Sequence, residues 1–95
     1  MSDAQSIHRY VLTPHAFHEA TRRGISLNLI AAVLTRPEQR KDVRPGRVVL
    51  QARHAVGEPS KVYLIRVIVD VDRDPAEVVT VYRTSRIAKY WESEP

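Results

Sequence analysis

Residues 62–69 read Val62-Tyr63-Leu64-Ile65-Arg66-Val67-Ile68-Val69, a run that is apolar except at one position and rich in β-branched and aromatic side chains. The run lacks helical periodicity. It is bounded by Gly57-Glu58-Pro59-Ser60 on one side and by the polar stretch Asp70 to Pro75 on the other, so it predicts a strand covered on both faces, the central strand of a sheet. Moving toward the N-terminus, Arg47 to Val56 alternates, with Val48, Leu50 and Ala52 facing one way and Val49, Gln51 and Arg53 the other. Pro45-Gly46 makes the preceding turn. Before it, the charged segment Arg40 to Arg44 reads as an edge strand, where charge discourages pairing with other chains. Toward the C-terminus, Val78 to Arg83 is the last strand. Ser85 to Trp91 then makes one helical turn, in which Ile87, Tyr90 and Trp91 fold back onto the sheet.

Upstream of the strands the pattern is helical. Thr13 caps a helix whose first position is Pro14, where the missing N–H costs nothing, and Gly24 after Arg22-Arg23 ends it. Ser26 caps a second helix carrying Leu27, Ile30, Ala31, Val33 and Leu34 at helical spacing, and Arg36-Pro37 stops it near Thr35. The expected fold is α+β: two N-terminal helices packed on a curved, about four-stranded antiparallel sheet, with a short C-terminal helical turn. Residues 1–12 are expected as a flexible lead-in, with Tyr10-Val11-Leu12 either a short edge strand or part of it, and residues 13–92 as a single domain.

With 95 residues the chain can bury one modest core, and without cysteine it has neither disulfides nor thiolate ligands. A reducing, cytoplasmic setting is expected. No apolar run approaches the roughly 18 residues of a membrane span, and residues 1–10 contain no signal-like core. The net charge is +4, and Lys41, Lys61 and Lys89 are the only lysines. Arginine-rich surfaces suit phosphate and base contacts, although a GC-rich genome produces the same bias.

Arg66 is the most informative residue, because a guanidinium in an apolar strand needs a partner or a wet cleft. It shares a face with Leu64 and Ile68, while Thr80 and Tyr82 share a face one strand away, so the three could hold a phosphate. The alternative is a structural ion pair with Asp70 or Glu77. His15, in the first turn of its helix, is disfavoured as a cation by the helix dipole, and it is either a neutral base or a surface residue. Cleavage by an RNA 2′-hydroxyl needs a base, a cation and an acid, and His15, Arg66 and Tyr82 are candidates for these roles. Arg23, Arg53, Thr80, Arg83 and Lys89 are candidate RNA contacts. No metal or cofactor is expected. His18-Glu19 lacks the second histidine of a zinc helix, and the Asp70-Val71-Asp72-Arg73-Asp74 run has Pro75 where a calcium loop needs glycine.

Several segments together resemble the DUF4258 family: His15-Ala16, Arg23-Gly24-Ile25-Ser26, Leu34 with Pro37, Arg66-Val67-Ile68-Val69, Val79-Thr80-Val81-Tyr82 and Ser85 to Tyr90. That family is similar to RelE- and BrnT-type toxins. The resemblance implies two helices on a curved antiparallel sheet, and an RNA-cleaving or RNA-binding site at His15, Arg23, Arg66, Thr80 and Tyr82. A toxin-type domain would bring an antitoxin protein as a candidate partner beside RNA. Glu19 stands where a basic residue is expected one turn after the histidine. The functional expectation is an RNA-directed toxin-type domain, either a metal-independent endoribonuclease or a non-catalytic RNA-, ribosome- or protein-binding domain.

Overall fold

The computed structural model describes residues 5–93. In chain order its elements are β1 (Tyr10–Leu12), α1 (Pro14–Arg23), α2 (Leu27–Thr35), β2 (Gln39–Arg44), β3 (Arg47–Val56), β4 (Lys61–Asp70), β5 (Ala76–Thr84) and α3 (Ile87–Tyr90). The strands form one five-stranded sheet in the order β1-β5-β4-β3-β2. The apolar run at 62–69 is therefore central, as its composition predicts. Strands β2 to β5 pair antiparallel, and β1 pairs parallel to β5.

Local chemistry sets both long helices. The Thr13 hydroxyl accepts from the Ala16 amide and the Ser26 hydroxyl from the Leu29 amide, which satisfies a donor at each helix start. Gly24 closes α1 in the left-handed conformation at φ 69°, a backbone that glycine adopts without the steric cost of a Cβ. Three residues, Gly24, Ile25 and the cap Ser26, thus make the whole α1–α2 corner.

One face of the sheet carries the core. Ala16 and Ala20 of α1 and Ile30, Val33 and Leu34 of α2 pack with Val48, Leu50, Ile65, Val67, Val69, Val78 and Val81. Val78 and Val81 both reach this core although they lie an odd number of residues apart. A bulge in β5, where the register shifts between Ile68 and Val69, absorbs the extra residue. Beyond the bulge Thr80 stands opposite Ile68 and Tyr82 opposite Arg66. The other face of the sheet is left without a long helix.

The fold differs from the expected one in its sheet and its start. The sheet is mixed and five-stranded rather than four-stranded and antiparallel, and the helices number three among the described residues. The added strand is Tyr10–Leu12, expected as either a short edge strand or lead-in; it is the edge strand. Its backbone is fixed by pairing with Ala76–Val78, by Thr13 N–H donating to Val78 O at 3.0 Å, and by Ile7 N–H donating to Leu34 O at 2.7 Å. Part of the expected lead-in, residues 1–4, lies outside the described residues. No helix among the described residues is long and apolar enough to cross a membrane.

Candidate functional site

Four residues form a straight row across the sheet on the face away from α1 and α2. Gln39 of β2 is opposite Gln51 of β3, Gln51 is opposite Arg66 of β4, and Arg66 is opposite Tyr82 of β5. Their side chains are joined end to end. Arg66 Nε donates to Gln51 Oε1 at 2.9 Å, and Arg66 Nη1 donates to the Tyr82 hydroxyl. Gln51 Nε2 donates in turn to Gln39 Oε1 at 2.8 Å and to the Tyr90 carbonyl at 3.1 Å. Gln51 is 1% exposed and is the one buried polar residue among those described. With both ends of its amide satisfied it can sit there cheaply.

The C-terminal segment lies over this row. The Tyr90 ring covers the Arg66 guanidinium at 4.2 Å, with the Tyr82 ring at 5.7 Å and the two rings edge to face. Gln39 and Glu92 exchange two hydrogen bonds, and Lys41 pairs with Glu92 at 2.8 Å. Trp91 takes the guanidinium of Arg53 at 4.3 Å. The expected return of Tyr90 and Trp91 to the sheet is what the structure shows.

The electrostatics set Arg66 apart. Among the described residues no carboxylate lies within ion-pair distance of it: Asp70 is held by Arg47 and Glu77 by Arg73. Among the described residues its Nη2 makes no hydrogen bond. A half-buried cation held by an amide, a phenol and a ring keeps its full charge. A guanidinium oriented by neutral groups is chemically suited to meet an oxyanion, because no counter-charge has to be displaced first.

The structure distributes the remaining candidates unevenly. Thr80 faces the same side as Tyr82, two positions along β5. Arg53 also faces this side, but two guanidinium hydrogen bonds and one from its amide tie it to the Glu38 carboxylate, which it holds below its usual range. Lys89 projects from α3, exposed, 5.3 Å from the Tyr90 ring. Arg83 lies opposite Ile65, on the helix-covered face. Arg23 is on the surface of α1 and pairs with Glu19 at 3.0 Å, and Arg22, followed by Arg23, keeps that carboxyl low. His15 is exposed on α1, whose Ala16 and Ala20 enter the core from the side opposite Arg66. The structure thus joins Arg66 to Tyr82, places Thr80 on the same face opposite Ile68, and does not bring the His15 imidazole to them.

Gln39, Gln51 and Tyr90 escape the sequence reading as site residues. Gln51 does leave a trace, a lone amide directly after Val48-Val49-Leu50. Among the described residues no group of three or more His, Cys, Asp or Glu side chains is placed to hold a metal ion.

Comparison with known proteins gives one match. The family model described as "Domain of unknown function (DUF4258)" matches residues 12–83, from the last residue of β1 to the penultimate residue of β5. No curated protein and no solved structure matches the chain. The matched span contains Gln51, Arg66 and Tyr82 and ends before Tyr90.

Proposed function

This chain belongs to the DUF4258 family, and on that premise we propose that it is an RNA-directed domain of toxin type that grips the RNA backbone on the face of its sheet away from α1 and α2. The observation that carries this reading is Arg66, a mid-sheet guanidinium aimed by Gln51 and Tyr82 with no carboxylate to neutralise it among the described residues. Tyr90 over Arg66 and Trp91 over Arg53 add rings on the same face on which unpaired bases can stack. Kinship with RelE- and BrnT-type toxins belongs to this proposal, as does an antitoxin, which would act by covering the same face.

Binding without cleavage is the form the geometry supports best, because the candidate base, His15, is on the other side of the sheet. Cleavage by the RNA's own 2′-hydroxyl is the second reading. It is favoured by the Tyr82 hydroxyl, an acid for the leaving oxygen hydrogen-bonded to the cation that would stabilise the phosphorane.

Fluorescence anisotropy with a labelled single-stranded RNA in EDTA, followed by a gel of the same samples, tests both. The expected result is salt-sensitive binding, intact RNA, and affinity lowered about ten-fold or more in Arg66→Gln. New cyclic-phosphate ends that disappear in Arg66→Gln and Tyr82→Phe would establish cleavage instead. Absence of binding at low salt would end the RNA reading.

A further inference from the structure

A second constellation lies on the opposite face, where the helices stop short of the sheet. The α1–α2 corner and the ends of β3, β4 and β5 enclose an open cleft of about 430 Å³, with Ile25, Leu29, Val56 and Ile65 as apolar lining and His54 and Arg83 as polar groups. No acidic residue lines it. Beside it, Tyr63 stands directly across from His54, and its ring is approached by two cations, Arg83 at 5.1 Å and Lys61 at 5.4 Å. Among the described residues neither cation has a carboxylate within ion-pair distance. Two like charges drawn to one ring without a counter-charge repel each other, and an anion between or beside them relieves that repulsion.

We propose that this cleft binds a nucleoside monophosphate, with the phosphate on Arg83 and His54 and the flat base on the apolar lining. Inorganic phosphate alone would make no use of Ile25, Leu29 and Ile65. An uncharged apolar ligand would make no use of Arg83. A mononucleotide combines both demands, and the cleft falls within the size range of small-ligand sites, about 300–1,000 Å³. The charge of the site comes from side chains on β4 and β5, so it does not depend on the end of α2. It is also independent of Arg66, which faces the other way.

The test is a titration of isotope-labelled protein, followed by amide NMR shifts, with adenosine 5′-monophosphate, adenosine and inorganic phosphate as separate probes. The monophosphate is expected to shift Gly24 to Leu29, His54 and Arg83, with saturation at roughly millimolar concentration or below. Adenosine and phosphate are each expected to bind at least about ten-fold more weakly, since each lacks one half of the recognised chemistry. Arg83→Gln should lose about ten-fold or more in affinity at these cleft amides, and Arg83→Lys should lose less. Should Arg83→Gln lose its dispersed spectrum, His54→Ala is read in its place, with weakened binding again expected. The proposal is overturned by unshifted cleft amides, by phosphate binding as tightly as the nucleotide, or by unchanged affinity in the folded variant.

Discussion

Arg47 and Arg66 lie on adjacent strands, and each reaches directly across to the β3–β4 partner it is paired with in register. Arg47 meets a carboxylate: its Nε and Nη2 donate to the two oxygens of Asp70 at 2.6 and 3.0 Å. Arg66 meets an amide, Gln51, and on its other side a phenol, Tyr82. The two arginines are held with similar geometry, but only one is neutralised. Where the fold needs a tie between strand ends it supplies an acid, and where it holds a cation in mid-sheet it supplies neutral acceptors. Neutral acceptors fix the direction of the guanidinium without spending its charge, and the proposed function of Arg66 rests on that difference from Arg47.

Removing the amide should break the comparison most severely. Gln51→Leu leaves Arg66 Nε and the half-buried Tyr90 carbonyl without their partner and Gln39 Oε1 with the Glu92 amide alone, and urea denaturation should show a loss of about 3 kcal/mol. Loss of less than about 1 kcal/mol would mean that the row is not a connected network.

Gln51→Glu sharpens the contrast by giving Arg66 what Arg47 already has. A carboxylate at this position neutralises the guanidinium, so RNA affinity by anisotropy should fall about ten-fold while the protein stays folded. Affinity equal to wild type would detach RNA binding from the charge of Arg66.

How much of this could be read from the sequence depended on the range of the signal. Thr13-Pro14, Gly24, Ser26 and Arg36-Pro37 act within a turn of where they stand, and α1 and α2 begin and end where they predict. The apolar run around Arg66 marked itself as central by composition alone. By contrast, β1 is three residues whose partner, Ala76–Val78, lies more than sixty positions away, so nothing local distinguishes it from a lead-in. The bulge near Val79 is likewise set by what β5 must bury, not by a turn motif. Arg66 and Tyr82 were legible as a pair because alternation fixes which residues share a face. Gln51 was not, because its place opposite Arg66 depends on the register of the β3–β4 hairpin. The separation of His15 from Arg66 had no sequence signature at all: an amphipathic helix states which of its own faces is buried, not which side of the sheet will bury it.

The smallest effect concerns the neutralised arginine. Arg47 holds the Asp70 carboxyl below its ordinary 3.8. A lowered native value means stabilisation that is complete above the unfolded value and is lost as pH falls through the native one. The urea midpoint of the wild type should therefore decline below about pH 4, and Asp70→Asn should flatten part of that decline. Asp70→Asn should also leave RNA affinity unchanged, since an unpaired arginine at the strand end is not part of the row.

The most direct test of the central claim is the slope of log affinity against log salt for a single-stranded RNA, measured on wild type and Arg66→Gln. One lost phosphate contact should reduce the slope by about 0.7 and weaken binding across all salt concentrations. Superimposable lines for the two proteins would contradict the account, because the charge that the sheet holds open would then meet no phosphate.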